Sequence, residues 1–253
     1  MIILVNLELI LVGVAIISVC VAVYTDMRWR IIPNKLNFPL IVFGVAFYIF
    51  LGIQSWDLLT AASGAIGAAI SFIIGYIMWR TGGWAGGDVK LFTALGALLY
   101  GYRMPVGNPI YPVPLTILFN SIIFVSPLIF AYALVRRMQG REVLYERVKI
   151  TELKEGMIPA ETIYKKDGKI VRHASRLGVR TRGDKIYTNP RRAAGLTRHQ
   201  IGSLKILVRD GKLENIIKVK RGLPFAPALG AGVLIAVLYG DLYWQFLLSV
   251  FGK

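Results

Sequence analysis

The sequence predicts an all-α polytopic membrane protein with six transmembrane helices and a small α/β cytoplasmic insert before the last helix. Three observations carry that expectation. Of the 253 residues 55% are hydrophobic and mean hydropathy is +0.58, well above the soluble average. Apolar runs of near-membrane length recur along the chain. The charge is gathered in one place: between Arg136 and Arg221 lie 23 of the 30 Lys and Arg and nine of the 14 Asp and Glu, a net +14 out of +16.

A spanning helix needs about 20 mainly apolar residues, and by that ruler helices fall at roughly 5–25, 37–53, 59–79, 88–101, 115–135 and 223–240. Met1 to Tyr24 has no positive n-region and no small-residue cleavage site, so it reads as a retained first helix rather than a signal peptide. In the third helix Ser63, Gly67, Ser71 and Gly75 recur every four residues, a stripe of small side chains that lets helices pack closely in lipid. Pro105, Pro109, Pro112 and Pro114 make the 102–114 connection non-helical. Pro224 and Pro227 interrupt the start of the sixth helix.

The chain therefore divides into a membrane domain at 1–135, a basic domain at 136–222, and a last helix with an external tail at 223–253. In the basic domain Asp167-Gly168 between apolar-rich runs predicts a hairpin. Thr197 with Gln200 three residues on predicts a capped helix ending at Gly211, and Leu213 to Val219 reads as a further strand. Basic residues flank the 26–37, 80–90 and 136–222 segments, while the opposite connections carry few. The positive-inside rule then places the basic domain in the cytoplasm of a multi-pass plasma-membrane protein, with both termini outside.

In a chain so short of acids, two stand out. Asp26 closes the first apolar run, and Asp88 follows Gly82-Gly83-Trp84-Ala85-Gly86-Gly87 at the mouth of the fourth helix. Both fall at the cytoplasmic ends of their helices. Carboxylates at a membrane helix end cost free energy, and solvation beside Arg28 or Lys90 is the plain alternative for either alone. Brought within a few ångströms, the two could not both carry charge. One would then activate water as general base and the other protonate the departing amine, which is peptide hydrolysis without a metal. Gly86 and Gly87 would let an extended substrate backbone lie against the loop. Lys90, two residues on, points to another helix face. Glu8, Asp57 and Asp241 read as ordinary solvated helix ends.

No cofactor is expected. The lone Cys20 forms no intrachain disulfide, and His173 and His199 stand 26 residues apart with no metal-ligand spacing, so the metal expectation is none. Membrane lipids are expected partners of the charge run from Arg172 to Arg198. Nucleic acid is not, because no stacking aromatic platform accompanies the charge.

Asp26 with Arg30-Ile31-Ile32-Pro33-Asn34, then Gly86-Gly87-Asp88-Val89-Lys90 some sixty residues later, resembles the type IV prepilin peptidases, including the archaeal preflagellin peptidases, a family of membrane aspartic proteases. Leu223-Pro224-Phe225-Ala226-Pro227-Ala228 is similar to the Pro-Phe-x-Pro opening of a late helix in that family. The family's Gly-x-Gly-Asp is Ala85-Gly86-Gly87-Asp88 here, with a small residue kept in the first place. The resemblance implies Asp26 and Asp88 as the catalytic pair, with Gly87 shaping the loop; Gly86 and Lys90 stand beside it as candidate substrate-binding or loop-shaping residues, Lys90 by tuning the charge of the pair. It implies prepilin or preflagellin (archaellin) precursors as substrates, whose short basic leader is removed on the cytoplasmic side of the membrane. The two cysteine pairs of bacterial relatives are missing from the short loop after the first helix, which implies peptidase without methyltransferase activity. Two other readings stay open: a presenilin-like intramembrane aspartic protease, and a non-enzymatic membrane anchor with a lipid-binding basic domain.

Overall fold

The computed structural model describes residues 2–107, 109–140, 142–143, 145–173, 185–190, 195–220 and 225–252, with side chains of the first helix from Leu9 onward. Among the described residues, eight α-helices and five short strands fall into two compact units, Met1–Ala131 with Pro224–Lys253, and Tyr132–Leu223.

In the first unit α1 (Ile2–Trp29), α2 (Asn34–Ser55), α3 (Leu58–Arg80) and α5 (Val113–Met138) are long and apolar enough to cross a membrane. α4 (Gly86–Leu99) is shorter, and eleven of its 14 residues are buried. A helix apolar on all sides belongs inside. α4 packs against α1, α2, α3 and α7 (Ala226–Leu238), and its Leu91, Phe92, Leu95, Leu98 and Leu99 form the middle of the core.

Missing side chains allow the close approach of these helices. A Cβ at Gly67 of α3 would stand 2.2 Å from the Gly96 carbonyl of α4, and one at Gly44 of α2 2.8 Å from the Ala97 backbone. The buried stripe of α3 is Gly64, Gly67, Ser71 and Gly75, not one headed by Ser63. A strict four-residue step overruns the 3.6-residue turn, so one step of three returns the row to the same face.

Two local features also depart from expectation. α1 continues through Trp29, which sets Asp26 three residues inside its last turn and leaves only Arg30 to Pro33 between α1 and α2. Arg28 in that last turn complements the helix dipole, and Arg30 ends the helix in the left-handed region (φ 58°), its N–H donating to the Asp26 carbonyl at 2.9 Å. The chain after residue 240, expected as a tail, forms α8 (Leu242–Phe251). Asp241 caps that helix through the Trp244 N–H (2.8 Å) and is fully buried, not solvated. Thr116 of α5 donates to it and takes the place of water. Asp57 is an exposed cap of α3, as expected of a solvated end; the Glu8 side chain lies outside the described residues.

The second unit holds two small antiparallel sheets. β1 (Tyr145–Val148) pairs with β5 (Ile217–Lys220), Tyr145 opposite Lys220. β2 (Thr162–Lys166) lies between β3 (Lys169–His173) and β4 (Lys185–Thr188). The predicted hairpin is present: Asp167 and Gly168 both have positive φ (49° and 78°), the primed turn that matches strand twist. So is the capped helix, α6 (Arg198–Arg209): Gln200 N–H donates to Thr197 Oγ1 and Thr197 N–H to Gln200 Oε1. Leu204, Ile163, Ile150 and Ile217 close a separate small core.

Candidate active site

Asp26 and Asp88 line one cleft of about 230 Å³, together with Arg30, Ile31, Ile32, Asn34, Ala85 and Gly87. Three helices meet there. α1 supplies Asp26 from its last turn, the α1–α2 turn and the start of α2 supply a wall of Arg30, Ile31, Ile32 and Asn34, and α4 supplies Asp88 from its first turn. The carboxylates are 7% and 5% exposed. Arg30 is the cation near Asp26.

Each carboxylate is held by one backbone amide. Asp88, third residue of α4, reaches back to accept from the Ala85 N–H at 2.9 Å. An acid at that place satisfies an orphan amide of the helix start and sits at the positive end of the dipole. Capping alone would leave the group in water, yet this one is buried in a cleft that Asp26 also lines. Asp26 accepts from the Ala226 N–H at 3.3 Å, the first residue of α7, from a point 200 residues later in the chain. Sequence reasoning missed Ala226 because a backbone donor leaves no residue signature. The Phe225-x-Pro227 pattern pointed to a helix start there; its Leu223 and Pro224 lie outside the described residues.

Of the other sequence candidates, Gly87 lines the cleft, and a Cβ on it would stand 3.2 Å from Ile32. Gly86 faces open space, with nothing within 4 Å of such a Cβ. Lys90 is not part of the lining: its Nζ donates to Asn34 Oδ1 at 2.7 Å and lies 5.3 Å over the Phe38 ring. It acts on the cleft indirectly, by fixing Asn34 in its wall. Among the described residues no group of three or more His, Cys, Asp or Glu could hold a metal ion.

A larger hollow of about 320 Å³ lies in the second unit, lined by residues that include Lys185, Tyr187, His199 and Ser203. None of its described lining residues is a carboxylate, and the Ser203 hydroxyl donates to the His199 backbone carbonyl rather than to its imidazole.

A sequence profile of the type IV leader peptidase family matches residues 13–130, and a profile of the archaeal peptidase A24 C-terminal domain matches residues 120–219. Between them the two profiles cover residues 13–219, so the chain is similar to the type IV leader peptidase family over most of its length. Among curated proteins it is 27% identical to prepilin peptidase EppA of Methanothermobacter thermautotrophicus, over 95% of this chain and 97% of that one. It is 29% identical to a preflagellin peptidase of Methanococcus maripaludis, over 55% of this chain and 68% of the relative. A preflagellin peptidase of Methanocaldococcus jannaschii is 31% identical over a shorter stretch, 38% of this chain and 41% of its own. The family's first profile contains both Asp26 and Asp88, and the second covers most of the basic unit.

Proposed function

We propose that this protein is a membrane aspartic endopeptidase that removes the leader peptide from prepilin or preflagellin precursors, with Asp26 and Asp88 as its catalytic pair. The observation that carries the reading is the pair itself: two nearly buried carboxylates from separate helices lining one cleft. The names of the relatives supply the substrate class.

In this mechanism the ionised member takes a proton from water as the water oxygen adds to the scissile carbonyl carbon, and the protonated member gives its proton to the carbonyl oxygen. The tetrahedral intermediate collapses with loss of the C–N bond. The leaving amine takes a proton from one carboxyl while the other takes the proton released from a hydroxyl of the intermediate as C=O re-forms, so the pair returns to sharing one. The pair acts as a unit, so no proton is assigned to either residue alone. Gly87 keeps the floor of the cleft low, Gly86 leaves its approach open, and Lys90 holds the Asn34 wall.

The membrane arrangement follows the same reading. α4, at 14 residues about 21 Å long, and α7, at 13, complete six spans by crossing inside the shelter of the longer helices. Basic flanks at 26–37, 80–90 and 136–222 put the cleft and the basic domain in the cytoplasm and both termini outside. The short turn after α1 and the single Cys20 fit peptidase without methyl transfer.

Asp26→Asn and Asp88→Asn, purified and incubated with a precursor carrying its leader, are each expected to lose at least about 10³-fold in cleavage, the order seen when one member of a catalytic set is removed. Their thermal unfolding should stay near wild type. Wild-type rates in both variants would overturn the assignment.

A further inference from the structure

The residue immediately before each carboxylate's backbone donor is aromatic, and the two rings touch. Trp84 precedes Ala85, whose amide holds Asp88; Phe225 precedes Ala226, whose amide holds Asp26. The Trp84 and Phe225 ring centroids lie 4.9 Å apart with the planes inclined by 37°. We infer that the Trp84–Phe225 contact is the positioning device that fixes the separation of the two carboxylates, by yoking the backbone segments that hold them. The inference rests on the peptidase reading of the cleft.

Connectivity cannot set this separation. Asp26 and Ala226 are 200 residues apart, and the whole second unit is inserted in the chain between α4 and α7, so the start of α7 must be placed by packing. Trp84 is a fixed point for that packing. It is buried, its ring stands edge-on to Phe92 of α4 (5.3 Å, 83°), and a Cβ at Gly75 of α3 would lie 3.5 Å from it. Phe225 packs against that ring.

The peptide plane does the rest. Each aromatic Cα shares a rigid planar peptide unit with the next residue's N–H, so a shift of either ring carries an amide, and with it a carboxylate, along. Aromatic pairs also stabilise beyond the area they bury. Trp84 and Phe225 are positioning residues in this account; neither lines the cleft.

The experiment is a kinetic cycle with a leader-bearing precursor: Phe225→Leu, Trp84→Leu, the double variant and Phe225→Tyr, each with a thermal unfolding curve. Leucine keeps apolar bulk and removes the ring contact. Each single is expected to lose about tenfold or more in kcat with KM within about twofold, since a misplacement of about 1 Å costs up to 10²-fold. The double variant should be no slower than the slower single, because the two act as one device, and Phe225→Tyr should recover wild-type kcat within about twofold. Wild-type kcat in Phe225→Leu, a loss confined to KM, multiplying losses in the double, or a tyrosine variant as slow as leucine would each overturn the inference. If Phe225→Leu fails to fold, Trp84→Phe, which keeps a shorter ring, carries the same kcat test. Asp26→Asn and Asp88→Asn run in parallel separate the failures. Cleavage by those two removes the peptidase reading, whereas their inactivity beside a fully active Phe225→Leu removes only the positioning role.

Discussion

The Thr116 hydroxyl of α5 donates a 2.6 Å hydrogen bond to the fully buried carboxylate of Asp241, far along the chain at the turn between α7 and α8. Around it Asn120 donates from Nδ2 to the Gly240 carbonyl (2.8 Å) and accepts from the Leu242 N–H (3.0 Å). Val106 N–H donates to the Tyr239 carbonyl (3.0 Å) and ties in the 102–107 connection. A buried carboxylate is tolerable only while its donors are present. Thr116→Val keeps the shape and removes one donor, so it is expected to destabilise by about 1–3 kcal/mol. The start of α7, at Asp26, lies about 20 Å away along the helix, and cleavage rate should not change. Thermal unfolding in detergent checks the first part and a precursor assay the second; an unchanged Tm would show that the bond contributes nothing.

Asn37 presents the opposite situation. It is fully buried on the face of α2 that continues through Gly44 and Tyr48 toward α4, and neither its Nδ2 nor its Oδ1 has a partner among the described residues. Leaving such groups unpaired costs about 1–3 kcal/mol, while an apolar replacement of similar shape is neutral or stabilising. Asn37→Leu is therefore expected to keep or raise Tm. A Tm several degrees lower would mean that the amide is satisfied in the working protein and that this account of the α2–α4 interface is wrong.

In the basic unit, Lys218 Nζ donates to Glu142 Oε1 at 2.7 Å. That bond, with the charges of Lys218 and Arg147 beside it, holds the Glu142 carboxyl below its ordinary value. A carboxyl depressed in the folded state adds stability above its unfolded pKa, and the contribution is lost as pH falls through the folded one. The group is exposed, so the effect is small and screened by salt. Glu142→Gln should lower Tm slightly at pH 7 in low salt, and the difference should shrink as pH falls below the free glutamate value and vanish once the folded carboxyl is itself protonated. A difference independent of pH would assign the effect to packing instead.

What could be read from residues alone follows from how local each signal is. Asp26 and Asp88 stood out because acids are scarce in apolar runs, and the Asp167-Gly168 turn and Thr197–Gln200 cap because their hydrogen bonds close within four residues. The Ala226 amide on Asp26 could not be read, since it is a backbone group 200 residues away. Nor could the Trp84–Phe225 contact, which only the packing of α3, α4 and α7 creates. Asp241 misled because its partner Thr116 lies in another helix, and burial is a property of the assembled bundle. Ser63 in place of Gly64 was an error of period, the kind a fixed four-residue step makes over three turns.

The two glycines before Asp88 look alike in sequence and differ in the structure, and substituting each separates loop shape from helix propensity. Both begin α4 with ordinary negative φ, since neither has the left-handed backbone found at Gly82. At Gly86 an added Cβ meets nothing within 4 Å, whereas at Gly87 it stands 3.2 Å from Ile32 Cβ, and Ile32 is a wall of the cleft. Gly86→Ala should therefore fold at least as well as wild type, gaining up to about 1 kcal/mol from reduced unfolded-state entropy, and cleave at close to the wild-type rate. Gly87→Ala should push Ile32 by a few tenths of an ångström toward Arg30 and Asn34, at the α1–α2 turn and the start of α2. Its cost should appear in cleavage, by about tenfold, with little change in Tm. Equal loss of activity in both variants would mean that the pair serves the loop's backbone freedom rather than the shape of the cleft.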